Sequence, residues 1–324
     1  MKSRILLTGK TGQVGAELLA LLPRLGEVGA CDRRELDLSN PGHIRRAIRD
    51  VQPTVVVNAA AYTSVDQAER EEKKAHIINV EAPALMAEEA KRIGAALVHY
   101  STDYVFDGSK GLPYEEDDRP NPINVYGMTK LAGEQAIRAT GVPHLIFRTA
   151  WVYGTRGRNF LLTILRLGTE REELKIVRDQ FGTPTWSREI AKTTAKALAQ
   201  LFREGRQHAF GCSGTYHLTA AGKTSWFEFA KAILEEASRT PRDIPWLAAA
   251  TGGYPLVVRR VTPITTEQYP TPARRPAYSV LSNHRLKQVF GLELLDWRLQ
   301  LGSAFSTGQS DAQSPDPEDA VNCS

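Results

Sequence analysis

Short apolar runs separated by amphipathic stretches set the rhythm of the first half of the chain. Ile5-Leu6-Leu7 and Val55-Val56-Val57 are too short for helices and have no polar face, the pattern of strands buried on both sides. The segments 27–31, 95–100 and 144–148 read as further strands. Helix-like stretches lie between them at 16–22, 42–50, 65–69 and 74–93. Another is expected over 122–137, where Asn121 followed by Pro122 resembles an N-cap and first helical position and no further proline intervenes. Strands alternating with helices predict an α/β fold with a doubly wound parallel sheet covered on both faces.

Beyond residue 150 an alanine-rich helix at 190–202 returns to the sheet, a short strand is expected at 216–218, and Thr224-Ser225 caps a helix reaching 237. These elements predict two domains interleaved in sequence. The larger takes 1–150 and about 185–210; the smaller, also α/β, takes about 151–184 and 211–302. From about residue 302 the composition shifts to serine, aspartate, proline and glycine, so 303–324 is expected to be a disordered tail.

Composition narrows the function by exclusion. The 324 residues carry a formal net charge of only +4, and no run of lysine and arginine is interleaved with aromatics, so no nucleic-acid partner is expected. Cys31, Cys212 and Cys323 are odd in number and far apart, which suggests neither a disulfide framework nor a thiolate metal site and points to a reducing compartment. Lys2 and Arg4 precede an apolar run, but Thr8-Gly9-Lys10 breaks it too soon for a signal sequence, and no stretch is long enough to span a bilayer. A cytoplasmic protein with no membrane partner is expected.

The candidate chemistry falls at strand ends. After the first strand come Gly9, Lys10, Thr11, Gly12, Gln13, Val14 and Gly15, with glycines spaced Gly-x-x-Gly-x-x-Gly rather than Gly-x-Gly-x-x-Gly. Glycines in such a turn let the backbone approach a pyrophosphate, which the amides and dipole of the following helix hold. About twenty residues on, Asp32 suits the ribose hydroxyls of NAD, whereas Arg33 and Arg34 suit the 2′-phosphate of NADP, so both cofactors stay open. Small residues after the third strand, Ala59, Ala60 and Ala61, leave room for a ligand before Tyr62 and Thr63. Ser101-Thr102-Asp103 closes the fourth strand. Tyr126 and Lys130 lie four residues apart, on one helix face, where a lysine can favour the ionised form of a tyrosine.

Thr8 to Gly15, Asn58 to Ala61, Ser101 to Gly108 and Tyr126-x-x-x-Lys130 occur in the order seen in extended short-chain dehydrogenase/reductases, which the chain resembles. More narrowly, it resembles the dTDP-4-dehydrorhamnose reductases through 65–69, 124–134, 147–153, 179–185 and 269–276. The resemblance runs from about residue 4 to about residue 302. It implies hydride transfer from NADPH or NADH to the 4-keto carbon of dTDP-4-dehydro-L-rhamnose, giving dTDP-L-rhamnose.

By the same resemblance, Tyr126 donates the proton, Lys130 binds the nicotinamide ribose and lowers the tyrosine pKa, and Thr102 hydrogen-bonds the substrate oxygen. Amides from Lys10 to Val14 face the pyrophosphate, Asp32, Asp37 and Leu38 lie near the adenosine, and Ala61 to Thr63, with Asn79, complete the cofactor site. Family members often have histidine at Tyr62. Asp103 faces a sugar hydroxyl, Trp151 packs on the sugar or base, and Arg275 contacts the diphosphate of the dTDP-sugar. Some relatives use Mg²⁺, and Glu17 and Glu189 match acidic positions there; isolated glutamates are ordinarily solvated, and no metal site is assigned. Monomer and homodimer are both left open. Two other readings share these residues: an epimerase or dehydratase of nucleotide sugars, and a non-catalytic subunit like the one that regulates methionine adenosyltransferase.

Overall fold

The apolar runs pair into one six-stranded parallel sheet in a computed structural model of the chain, which describes residues 3–307 and, at 204–210, the helix backbone alone. Its strands are β1 (Ser3–Thr8), β2 (Gly26–Cys31), β3 (Val55–Asn58), β4 (Ala96–Thr102), β5 (His144–Thr149) and β6 (Gly214–His217), in the spatial order β6-β5-β4-β3-β1-β2. The helices that cover it are α1 (Gln13–Leu21), α2 (Pro41–Val51), α3 (Ala82–Ile93), α4 (Val125–Thr140) and α5 (Ser187–Gly211). The two-residue period of a strand sends Ile5, Leu7, Val55, Val57, Val98 and Phe147 to one face, where they meet Leu18 of α1 and Ile190, Leu198 and Leu201 of α5. Leu6, Val56, Leu97 and Ile146 point the other way, to Ile44 and Ile48 of α2, Met86 of α3 and Ile137 of α4. With apolar partners on both faces, the strands need no alternation, which is why they read as continuous runs.

From β1 the chain moves outward to β2, then returns to the opposite side of β1 as β3. That reversal opens a crevice at the carboxyl ends of β1 and β3, the place where such sheets bind ligands.

Several boundaries differ from expectation. Helix α4 begins at Val125, three residues late, because Asn124 accepts from the Gly127 amide at 2.7 Å, while Asn121 donates instead to Asp107 at 2.8 Å. The 74–93 stretch is a short helix, Glu72–His76, a π turn, Ile77–Glu81, and then α3. Against that π turn α4 packs closely: a Cβ on Gly133 would stand 2.1 Å from the Asn79 carbonyl oxygen.

The smaller lobe has its own core of Leu161, Ile164, Leu174, Phe229, Ile233, Trp297 and Leu301. Its strands Glu173–Val177 and Arg260–Ile264 pair in parallel, and Ser225 caps its helix Trp226–Arg239 by accepting from the Glu228 amide. Two pieces of the 211–302 span belong with the large sheet instead. Strand β6 pairs with β5, and Leu286 and Phe290 of the helix His284–Phe290 enter the large core. The expected tail is also shorter, since helix Trp297–Ser306 runs through 303–306 and buries Ala304 and Phe305. Residues 308–324, and Cys323 with them, lie outside the described residues. Among the described residues no helix is long and apolar enough to cross a membrane.

Candidate active site

Three side chains converge where β4 ends against α4. Thr102, 5% exposed, donates to Asp103 Oδ1 at 3.0 Å, accepts from the Tyr104 amide at 3.1 Å, and lies within hydrogen-bonding reach of the Tyr126 hydroxyl. Tyr126 is half-buried at the cleft, with its ring edge-on to Tyr104. Burial pushes its hydroxyl up to about 12, with the Thr102 bond offsetting part of the rise. The expected lowering by Lys130 is absent. The Lys130 side-chain nitrogen is buried and turned toward β4, donating to the Tyr100 carbonyl at 2.5 Å and facing His99 Nε2 at 3.1 Å. Its own pKa falls to about 8, because burial outweighs the nearby Glu134 carboxylate. A tyrosine with a raised pKa holds its proton at neutral pH, as a proton donor must.

Asp103 is buried, and burial pushes its carboxyl up to about 7 despite hydrogen bonds from Ser279 and Thr102. The folded pKa lies above the unfolded value, so the unfolded chain releases this proton first and stability falls as pH rises from about 4 to about 7. Asp103→Asn is expected to raise Tm at about pH 8, by the equivalent of a few kcal/mol, and to leave it nearly unchanged at about pH 4. Equal Tm differences at both pH values would contradict this assignment.

The glycine turn lies at the mouth of the crevice. Gly9 has φ +74°, and a Cβ on Gly15 would stand 2.0 Å from the Gly9 carbonyl oxygen, so the turn is as tight as the spacing suggested. Not every amide from Lys10 to Val14 is free, however. Those of Lys10 and Gly12 close onto the Cys31 and Gly9 carbonyls, which leaves the first turn of α1, Gln13 to Gly15, presenting N–H groups outward. The Gln13 side chain accepts from Asn159, which caps the helix Phe160–Glu170 and so ties this turn to the smaller lobe. Thr11 and Thr63 are exposed, and Ala59, Ala60 and Ala61 line the strand end beside them.

At the end of β2 Asp32 accepts from the Arg34 and Glu35 amides, which lowers its pKa, while Lys10 pairs with Glu35 at 2.6 Å. Arg33 and Arg34 are exposed beside it. Asp37 accepts from the Ser39 amide and hydroxyl, and Leu38 is buried at 8% exposure.

Asn79 holds the wall rather than lining it. It is fully buried, accepts from the Tyr62 amide, and donates to the Tyr62 carbonyl and to Thr129. Both donors and one acceptor position of its amide are thereby used within the protein. The Tyr62 phenol donates to Glu71 at 3.0 Å, away from the turn.

Two residues expected to contact substrate have protein partners. The Arg275 guanidinium grips Asp66 through two bonds of 2.6 and 2.7 Å and also donates to the Ala273 carbonyl. Trp151, at φ +45°, stacks on Trp226 with ring centroids 3.4 Å apart and packs over Gly182. Trp226 was not singled out from sequence, because only the fold brings it to Trp151. Glu17 pairs with Arg188 and Glu189 with Lys192, and among the described residues no group of three or more acidic, histidine or cysteine side chains could hold a metal ion.

A doubly wound sheet, a glycine turn at its switch point and a threonine, tyrosine and lysine at the end of β4 define a nicotinamide-dependent oxidoreductase of the extended short-chain type. The family model described as the RmlD substrate binding domain matches residues 2–309. The dTDP-4-dehydrorhamnose reductase of Burkholderia thailandensis is 52% identical over 299 residues, 92% of this chain and 97% of that protein. The Escherichia coli K12 protein of the same name is 43% identical over 311 residues, 94% and 98% of the two chains. The crystal structure of the Bacillus anthracis dTDP-4-dehydrorhamnose reductase in complex with NADP superposes with a TM-score of 0.82 at 35% identity, covering 94% of this chain and 99% of that one. The chain belongs to the dTDP-4-dehydrorhamnose reductase family.

Proposed function

We propose that this protein reduces the 4-keto group of dTDP-4-dehydro-L-rhamnose to dTDP-L-rhamnose, using NADPH. The observation that carries the reading is the meeting of a protonated Tyr126 with Thr102, one helical turn from Lys130, beside a glycine turn shaped for a pyrophosphate. The turn fits such a cofactor, since Gly15 lets α1 start directly against the Gly9 carbonyl and the first-turn amides of Gln13 to Gly15 have no intrahelical partner. When bound, the nicotinamide supplies the hydride. As negative charge builds on the carbonyl oxygen, Tyr126 passes its proton to it and Thr102 turns its hydroxyl from Asp103 to the same oxygen. Lys130 would hold the nicotinamide ribose and, when protonated, steady the phenolate left behind.

The smaller lobe carries the sugar nucleotide in this reading. Trp151, backed by Trp226, offers an aromatic surface to the sugar or base, Asp103 meets a sugar hydroxyl, and Asp66 steadies Arg275 toward the diphosphate. NADPH is preferred because Asp32 is engaged within its own turn while two exposed guanidinium groups flank it. Changing Arg33 and Arg34 to alanine is expected to weaken NADPH by about tenfold or more and NADH by far less. Binding titrations with the two cofactors check this, and equal losses contradict it.

The function itself is tested by adding enzymatically generated dTDP-4-dehydro-L-rhamnose to the purified protein with NADPH. Stoichiometric oxidation of the cofactor is expected. A protein that instead retains tightly held cofactor and regenerates it each turnover is an epimerase, and this reading fails.

A further inference from the structure

A chain of four buried polar side chains runs beneath Lys130, and no step of the proposed reaction uses three of them. Thr8, Asn58, His99 and Lys130 are each 1% exposed and come from β1, β3, β4 and α4. Thr8 donates to Asn58 Oδ1 at 2.7 Å, and the Ala60 amide donates to the same oxygen at 3.3 Å. Asn58 Nδ2 lies 3.1 Å from His99 Nδ1, and His99 Nε2 lies 3.1 Å from Lys130 Nζ.

Counting donors fixes the protons. The Ala60 N–H can only donate, so the Asn58 oxygen faces it and the Asn58 amide nitrogen faces His99. His99 Nδ1 therefore accepts, and a neutral imidazole that accepts at Nδ1 carries its proton on Nε2. Burial holds His99 in that neutral form. Its N–H points at Lys130 Nζ. An ammonium has three donors and no lone pair, so it cannot receive that proton, whereas the neutral amine accepts it and still donates to the Tyr100 carbonyl.

We propose that His99 is a positioning residue for Lys130, presenting an imidazole N–H that favours the neutral amine in the cofactor-free enzyme and links the lysine's charge to the Ala60 wall of the cofactor site. The inference rests on the role given to Lys130 under the proposed function. Protonating Lys130 calls for an acceptor at Nε2, which moves the His99 proton to Nδ1 and reverses the Asn58 amide. The reversed amide would set its NH₂ against the Ala60 N–H. The charge state of the lysine and the backbone beside the cofactor are thus two ends of one hydrogen-bonded chain.

Other groups around the pair do not settle its protons in the opposite sense. From its own helix, Lys130 is near Tyr126, which is neutral at pH 7, and Glu134, whose carboxylate is shared with Arg148 of β5 through bonds of 2.9 and 2.7 Å. From the turn after β4 come Asp103, which bonds Thr102, and Tyr104, which burial keeps protonated. His99 faces only Asn58 and Lys130 among the polar partners described here.

The test is nitrogen-15 NMR of the histidine rings in the intact, cofactor-free protein, with the His99 signal identified by its loss in His99→Gln. The neutral Nε2–H tautomer is expected from about pH 9 to about pH 10, where Lys130 is the neutral amine. An Nδ1–H tautomer or an imidazolium in that range overturns the proposal. In parallel, carbon-13 at Lys130 Cε, assigned with Lys130→Met, is expected to titrate at least about one pH unit higher in His99→Gln than in the wild type. An unshifted lysine titration also overturns it. Neither measurement needs turnover, so a failure of the substrate assignment leaves both results readable, and His99→Asn supplies the assignment and the lysine comparison where His99→Gln does not fold.

Discussion

Tyr126→Phe lowers turnover by about 10²- to 10⁴-fold while leaving cofactor affinity within about threefold of the wild type. The variant removes one oxygen whose proton matters only as the ketone oxygen becomes an alkoxide, so the loss falls on kcat and not on binding. Ring packing against Tyr104 is kept, and Thr102 retains Asp103 and the Tyr104 amide as partners. Single-turnover kinetics with cofactor titration in the same samples separates the two quantities. A variant that turns over near the wild-type rate excludes Tyr126 as the proton donor. One that loses cofactor affinity in proportion to its rate assigns the residue to binding.

Arg148→Met is expected to destabilise the fold by about 3–5 kcal/mol, a drop in Tm on the order of 10 °C. Arg148 and Glu134 are 1% and 0% exposed and joined by two parallel bonds, so removing the cation leaves a carboxylate buried with only the more distant Arg138 at 3.5 Å. The pair matters to the site because it joins α4, one turn beyond Lys130, to β5. The double variant Glu134→Leu with Arg148→Met is expected to recover much of the loss, since an apolar pair avoids the unpaired charge. Thermal melts of the three proteins check this; a single-variant loss below about 1 kcal/mol, or no recovery in the double variant, contradicts it.

Much of this site was legible in the linear sequence because its chemistry is local. Tyr126 and Lys130 are one helical turn apart, and the glycines from Gly9 to Gly15 mark a strand-to-helix turn whatever surrounds it. Strands buried on both faces announce themselves as apolar runs. What sequence could not show was long-range choice. Asn121 and Asn124 are both able to cap α4, and the position of Asp107 decides between them by taking the first. The strand at Gly214–His217 was visible, but its place beside β5 was not, because a parallel edge pairing carries no local signal.

Several residue roles were hidden for the same reason. Asn79 looks like a cofactor group when read beside the motifs, yet the π turn buries it against Tyr62 and Thr129. His99 is a lone polar residue within a buried strand, a signal in hindsight, but its two partners are 41 and 31 residues away. The expected effect of Lys130 on Tyr126 assumed that a neighbour on one helix face points at its neighbour. Here the carbonyl of Tyr100 and the ring of His99 hold the lysine nitrogen at the sheet instead.

The central claim is that hydride reaches the sugar's C4 and stays there. The measurement that tests it most directly uses NADPH deuterated at the transferred position, with dTDP-4-dehydro-L-rhamnose, and locates the label in the product by NMR. The account predicts one deuterium at C4 of dTDP-L-rhamnose for each cofactor oxidised. Label at another carbon, or a product formed without label or net oxidation of cofactor, would contradict it.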